Sequence, residues 1–330
     1  MKSAIINEYG NSNCFSIEPN LPEPIPAKNQ IKIQVKAAGI NPLDYRIRNG
    51  ELKLFIPSQF PMILGNDAAG VVTEIGKDVT CFKVGDRVFG LLDANEYPSY
   101  RGFAKPGCYA EYAVSRENTL AQIPDNVDYI SAAATPLAGL TAYQALHSTV
   151  KLQSGQSLLI NGASGGVGTF AVQIAKAMGL KVTTVCSAVN IKLLQSLGAD
   201  YCIDYKMERL ENTEERFDVI YDVVANQTYS KLKHLLNPNG SYISNVANVS
   251  TITSSFLSKY FSLLGVKQHN YHAWVKSNDK DLDAIAGLMA SNKVTPVIDK
   301  VFPLEQVGVA HELIQSGHTT GKLVLDLSGA

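Results

Sequence analysis

The sequence predicts an α/β chain of two domains, a β-barrel-like unit and a doubly wound parallel-sheet unit. Three observations carry that expectation. Residues 1–125 read as short strands punctuated by turns, and from about residue 126 strand and helix periods alternate. A glycine-rich turn, Asn161 to Gly168, joins an apolar strand to a helix-period run. The 330 residues, 45% apolar and 18% charged, are enough for two sizeable cores.

In the first part, Ile31, Ile33 and Val35 alternate with polar residues, the signature of a half-buried strand. Segments 70–76, 84–90 and 109–114 are further β-rich pieces bounded by glycine or charge. Four prolines between Pro19 and Pro26 mark an irregular surface connection. An apolar stretch over 132–146 and a buried-type strand at 157–160 begin the second part. Strands follow at 181–186, 201–204, 217–224 and 240–245, with helices at 166–178, 190–197 and 229–236 between them. After about residue 265, helical segments at 282–290 and 304–315 precede an apolar strand at 322–326 that can return to complete the first domain. The expected boundaries are therefore 1–125, 126–265 and 266–330.

Lys plus Arg number 29 against 30 Asp plus Glu, so the net charge of −1 offers no overall field for nucleic acid or an anionic membrane. The N-terminus lacks a long apolar region, and no apolar run approaches the ~20 residues that span a bilayer. The expectation is a soluble, cytoplasmic protein without stable membrane insertion. The five cysteines are scattered and form no CxxC pair, so neither a disulfide framework nor a cysteine zinc cluster is indicated.

The turn Asn161-Gly162-Ala163-Ser164-Gly165-Gly166-Val167-Gly168 carries the strongest chemical signal. Glycines there let the chain turn sharply and bring backbone N–H groups close to a pyrophosphate, and the following helix offers its positive end. Ala163 stands where GxGxxG has its first glycine, while Gly165 and Gly168 fill the other two places. An NAD enzyme usually has an acidic residue after the next strand, and Ser187 to Lys192 contains none. Ser187 as donor, Lys192 as cation and Tyr205 after the following strand suit a 2′-phosphate, which favours NADP(H). An exposed helix charge is the alternative for Lys192.

These residues, with Ala38-Gly39-Ile40-Asn41-Pro42-Leu43-Asp44, Leu64 through Val72, Gly85-Asp86-Arg87-Val88 and Leu197-Gly198-Ala199-Asp200, resemble the medium-chain dehydrogenase/reductase superfamily over nearly the whole chain. The resemblance implies a GroES-like β-barrel domain, a Rossmann domain inserted after it, and a C-terminal return. Zinc members have a Cys where this chain has Asn41 and a His-Glu pair where it has Asn66-Asp67, and Asn is a poor substitute for thiolate or imidazole. Between Gly90 and Cys108 the four-cysteine structural lobe is absent as well. His269 and His272, three apart with no third ligand nearby, read as solvent-facing. No zinc is expected, and the similarity points to the zinc-free quinone oxidoreductase-like branch with its enone and alkenal reductases.

That branch implies an NADPH-dependent reductase of quinones or α,β-unsaturated carbonyls. By resemblance Ser164, Gly165, Gly166, Val167, Ser187 and Tyr205 contact NADPH and Thr135 lies near the nicotinamide, while Asn190 departs from relatives with a basic residue there. Without a Lewis acid, hydride addition to a conjugated acceptor leaves charge on an oxygen that a nearby cation can stabilise. Arg46 stands where enone-reducing relatives have Lys and is assigned charge stabilisation, against a surface salt bridge as the alternative. Asn41 orients the nicotinamide or the substrate oxygen, and Tyr45 delivers a proton or packs. Asp44 reads as a helix cap, and Asp67 as a residue that holds local backbone or binds Arg87.

Loops 91–107 and 250–274, with Tyr97, Tyr100, Phe103, Tyr260 and Trp274, are expected either to line an apolar pocket or to serve as core or dimer surface. Family members are often dimers through Rossmann sheet edges, so a homodimer is among the assemblies implied. Three other readings of the sequence stand beside the reductase: an NADPH-binding sensor or scaffold without turnover, a membrane-peripheral protein, and a zinc alcohol dehydrogenase.

Overall fold

The computed structural model describes residues 1–54, 60–92, 107–245 and 268–329. Expectations for Tyr97, Tyr100, Phe103 and Tyr260 lie outside the described residues. The chain divides into two compact units, one comprising Met1–Leu137, Ser277–Ala290 and Pro296–Ala330, the other Ala138–Lys276 and Ser291–Thr295.

In the first unit the long strand Gln30–Ile40 is the organising element. Ile31, Ile33 and Val35 are buried while Lys32 and Gln34 are only half-buried, which is the alternation a sheet with one packed face requires. Among the described residues the main sheet runs in the order Ile298–Pro303, Lys322–Asp326, Gln30–Ile40, Asp67–Ile75, Arg87–Leu91, Leu120–Gln122, with Tyr112–Arg116 also paired to Gln30–Ile40. The C-terminal strand Lys322–Asp326 thus lies antiparallel to Gln30–Ile40, with Leu323 opposite Ile40 and Leu325 opposite Ala38. The segment expected as a strand over 84–90 becomes one only at Arg87, because the Asp86 carboxylate accepts from the Lys83 N–H at 2.9 Å and closes a turn. A core built from Ile6, Ile33, Ile40, Val88, Leu120 and Leu323 fills the interior.

The second unit is a parallel sheet of six strands among the described residues, ordered Tyr201–Asp204, Lys181–Cys186, Ser157–Asn161, Phe217–Asp222, Leu236–Ser244, His269–His272. Strand order reverses between Ser157–Asn161 and Phe217–Asp222, so the carboxyl ends of these two strands flank a switch point where such sheets open a crevice. Leu158, Leu159 and Ile160 are fully buried, in keeping with a strand covered on both faces. The helix expected over 229–236 ends early, as Tyr229–Leu232 and a 3-10 turn Lys233–Leu235, because Asn237-Pro238 disfavours helical backbone and the next strand begins at Leu236. His269–His272 forms the edge strand, and His272 is not solvent-facing. Both its ring nitrogens are enclosed and without a partner among the described residues, its ring lies against exposed Trp274 at 4.4 Å, and burial lowers its pKa. Among the described residues no helix is long and apolar enough to cross a membrane.

Candidate functional site

The turn after Ser157–Asn161 has the geometry of an anion cradle. Gly162 adopts φ +82°, a left-handed conformation that a side chain would strain, and its N–H reaches the Val185 carbonyl of the neighbouring strand. A Cβ at Gly168 would come within 2.4 Å of the Gly162 carbonyl oxygen and 2.6 Å of the Ala163 backbone, so only glycine lets the helix seat against the turn. Gly165 caps the helix Gly166–Ala177 without any side-chain hydrogen bond, leaving first-turn N–H groups facing outward at the positive end of a twelve-residue helix. Ser164, Gly165, Gly166 and Val167 are all half-buried there, accessible to a ligand.

One strand further along the sheet, Cys186 pairs with Asp204, which brings Ser187 and Tyr205 together just beyond the ends of their strands. The Tyr205 N–H reaches the Cys186 carbonyl at 3.2 Å, and Tyr205 is 57% exposed. Asn190 donates to Ser187 Oγ at 3.4 Å, and Lys192 stands exposed in the first turn of the helix Ile191–Ser196. Asp200, of the Leu197-Gly198-Ala199-Asp200 motif, accepts from Val182 N–H at 2.7 Å and pairs with Lys176, a structural tie below this region. Thr135 belongs to the other unit, is fully buried, and donates to the Ser131 carbonyl at 2.8 Å.

Asp222 is a residue the sequence reading missed. It is fully buried at the carboxyl end of Phe217–Asp222 and accepts from Asn161 Nδ2 (2.8 Å), Ala225 N–H (3.0 Å), Gln227 N–H (3.1 Å) and the Tyr242 hydroxyl (2.7 Å). Those bonds tie the glycine-rich turn to the loop across the switch point. A carboxylate ending an apolar strand is the only signal for it in the sequence.

In the first unit Asn41, Asp67 and Lys322 form a buried polar knot, exposed by 2%, 0% and 4%. Asn41 Nδ2 donates to Asp67 Oδ2 at 2.9 Å, and Lys322 Nζ donates to Asn41 Oδ1, to Asp67 Oδ2 at 3.4 Å and to the Ile40 carbonyl at 3.1 Å. Asp67 Oδ1 accepts from Leu137 N–H at 2.9 Å. Asp67 therefore does hold local backbone, but the alternative partner Arg87 is engaged elsewhere, donating to the Val127 carbonyl at 2.6 Å and lying over the Tyr129 ring. Burial raises the Asp67 pKa against the opposing pull of Lys322 and Asn41.

Asn41 precedes the short helix Pro42–Arg48, and Asp44 accepts the Asn41 N–H at 2.8 Å, the expected helix-capping role. Tyr109 donates to the same Asp44 oxygen at 2.9 Å, and the fully buried His311 lies 3.4 Å from the Tyr109 hydroxyl. Burial lifts Asp44 to about 6, despite the two donors, and pushes His311 down to about 3 with help from Arg48. Arg46 turns outward, 37% exposed, and its Nε meets Glu51 at 3.0 Å. Tyr45 is half-buried against the first unit's core. Asn41 thus lies inside the knot while Arg46 on the same helix ends in an ion pair with Glu51.

Asn66 Nδ2 donates to the Leu92 carbonyl at 3.0 Å. With Asn41 held by Lys322 and Asp67, and a fixed ammonium beside both, this donor set does not suit a divalent metal. Among the described residues no group of three His, Cys, Asp or Glu side chains is placed to hold a metal ion.

Residues 27–125 match the family described as alcohol dehydrogenase GroES-like domain, and residues 197–325 that described as zinc-binding dehydrogenase. The chain is 33% identical over 329 residues to 2-methylene-furan-3-one reductase of Solanum lycopersicum, covering 98% of this chain and 79% of that protein. Its fold is similar to the structure of the quinone oxidoreductase from Coxiella burnetii, with TM-score 0.86 and 31% identity over 99% of both chains. The Escherichia coli quinone oxidoreductase complexed with NADPH superposes with TM-score 0.79 at 26% identity, covering 99% of this chain and 100% of that one.

Proposed function

Because this chain belongs to the medium-chain dehydrogenase/reductase superfamily, in its quinone oxidoreductase-like branch, we propose that it is an NADPH-dependent, zinc-independent reductase of quinones or α,β-unsaturated carbonyls. The observation that carries this reading is the open, uncapped helix start behind Gly162 and Gly168, an anion cradle at the switch point of a parallel sheet. Ser164 to Val167 hold the pyrophosphate, Ser187, Lys192 and Tyr205 take the 2′-phosphate and adenosine end, and Thr135 serves the nicotinamide end. When bound, a reduced nicotinamide supplies a hydride to an electron-poor double bond or quinone ring.

The protein's part is to hold the acceptor and stabilise the charge that develops on its oxygen. Arg46, a permanent cation with more than a third of its side chain exposed, stabilises that oxygen after exchanging its Glu51 partner. Asn41 contributes an amide N–H, and Tyr45 relays a proton through its hydroxyl or a water. The ammonium beside Asn41 and Asp67 supports independence from zinc, since it would repel a dication. The substrate is a small electrophile; neither nucleic acid nor membrane insertion enters the scheme, and the protein works in the cytoplasm as a homodimer. We assign the substrate to the first unit and the cofactor to the second, with the expected boundaries at 125/126 and 265/266 moved to 137/138 and 276/277.

Purified protein incubated with NADPH and a panel of quinones and enones tests the reading. Oxidation of NADPH in stoichiometric amounts with an acceptor is expected. Tight NADPH binding without oxidation across the panel would instead indicate a sensor or scaffold.

A further inference from the structure

Three neighbouring strands of one sheet bring the ends of distant segments together at Asn41. Leu323 pairs with Ile40, which sets Lys322 beside the end of Gln30–Ile40, and Gly39 pairs with Asp67 on the other side. The two charged residues therefore flank the asparagine that starts the helix Pro42–Arg48. An ammonium can only donate hydrogen bonds and an ionised carboxylate can only accept them. Lys322 against Asn41 Oδ1 and Asp67 against Asn41 Nδ2 consequently admit one orientation of the amide. The flipped amide would set donor against donor and acceptor against acceptor in a site screened from water, losing both bonds.

Lys322 has three N–H groups and three acceptors, Ile40 O, Asn41 Oδ1 and Asp67 Oδ2. None remains for a ligand, so the lysine acts only through its neighbours. Asn41 Nδ2 commits one of its two protons to Asp67, and among the described residues the other has no acceptor. Resting on the reading of Asn41 as a donor in the reaction, we infer that Lys322 is a positioning residue that, with Asp67, locks the Asn41 amide so that its uncommitted N–H is a fixed donor for the acceptor's oxygen. A fixed donor needs no reorientation as charge develops on that oxygen.

The test has a structural arm and a kinetic arm. With protein labelled by 15N-asparagine, the Asn41 side-chain signals are identified by their loss in Asn41→Asp. Wild type is expected to show two sharp, distinct amide protons with slow solvent exchange. Lys322→Met should broaden or shift them and speed exchange by about tenfold or more, while Lys322→Arg, another obligate donor, should preserve them. If Lys322→Met does not fold, Lys322→Met combined with Asp67→Asn removes both charges and takes its place. In the kinetic arm the same variant should lower kcat and kcat/KM together by about tenfold with KM for the acceptor unchanged, and Arg should restore most of the loss. Unchanged Asn41 signals in a folded variant lacking the ammonium would overturn the inference. Absence of turnover in wild type would count against the proposed reaction alone, because the amide signals report the lock without any acceptor present.

Discussion

Lys322 Nζ and Asp67 Oδ2 meet at 3.4 Å although 255 residues separate them, and both side chains are nearly sealed from water. Burying two charges is costly unless each is satisfied, and here every proton of the ammonium and both carboxylate oxygens have partners. Removing one partner strands the other. Lys322→Met or Asp67→Asn should each lose about 3–5 kcal/mol of stability. The pair Lys322→Met with Asp67→Asn should lose clearly less than the sum. Urea unfolding of the singles and the double gives the coupling directly, and additive losses would mean the charges do not depend on each other.

The glycines of the phosphate turn make separable demands. A methyl at Gly168 collides with backbone at 2.4 Å, whereas at Gly165 the nearest atom to a new Cβ is 3.7 Å away. Gly168→Ala should weaken NADPH binding by more than about tenfold and cost roughly 1–3 kcal/mol of stability. Gly165→Ala should fold as wild type. Fluorescence titration with NADPH beside thermal unfolding separates the two effects, and equal behaviour of both variants would contradict this packing.

Two buried titrating groups pull stability in opposite directions with pH. His311 sits at about 3 in the fold, below its ordinary value near 6.5, so its contribution is complete above about 6.5 and is lost as pH falls toward 3. Asp44 sits at about 6, above its ordinary value of 3.8, so its contribution is complete below 3.8 and is lost as pH rises through 6. His311→Phe, which keeps a ring against Phe15, should gain about 2 kcal/mol over wild type at pH 5 relative to its difference at pH 8. Asp44→Asn should show the reverse, gaining about 1 kcal/mol at pH 8 relative to pH 5. Denaturant titrations at the two pH values check both signs.

Arg46 distinguishes chemistry from surface pairing. Its ion pair with Glu51 is exposed, so Arg46→Ala should change stability by less than about 1 kcal/mol. If Arg46 stabilises the developing oxyanion, the same change should slow enone reduction by about 100-fold, roughly 3 kcal/mol of barrier. Unchanged turnover would leave the residue a surface charge.

What could be read from sequence followed the range of the physics involved. The glycine-rich turn is legible because its requirements are local: Gly162 and Gly168 are demanded by backbone within a few residues. The strand Lys322–Asp326 is legible for the same reason, as a short apolar run with bounds set by neighbouring residues. Its partner strand is not. The role of Lys322 depends on Leu323 pairing with Ile40, a register that no local pattern encodes. Asp67 could be read as a residue that lost its zinc context, yet Arg87, the nearer basic residue in sequence, was the wrong partner because it folds toward Tyr129. His272 misled in the other direction: a histidine pair three apart with no third ligand nearby suggested exposure, while the segment forms a strand and Trp274 packs against the His272 ring.

The proposed reaction is hydride transfer from NADPH to an electron-poor double bond without a metal. The most direct measurement uses NADPH carrying deuterium at both C4 positions of the nicotinamide, an enone acceptor, and protein freed of metal by a strong chelator. One deuterium per product molecule is expected at the β-carbon, at a rate the chelator leaves unchanged. Product without deuterium, or turnover abolished by the chelator and restored by zinc, would contradict it.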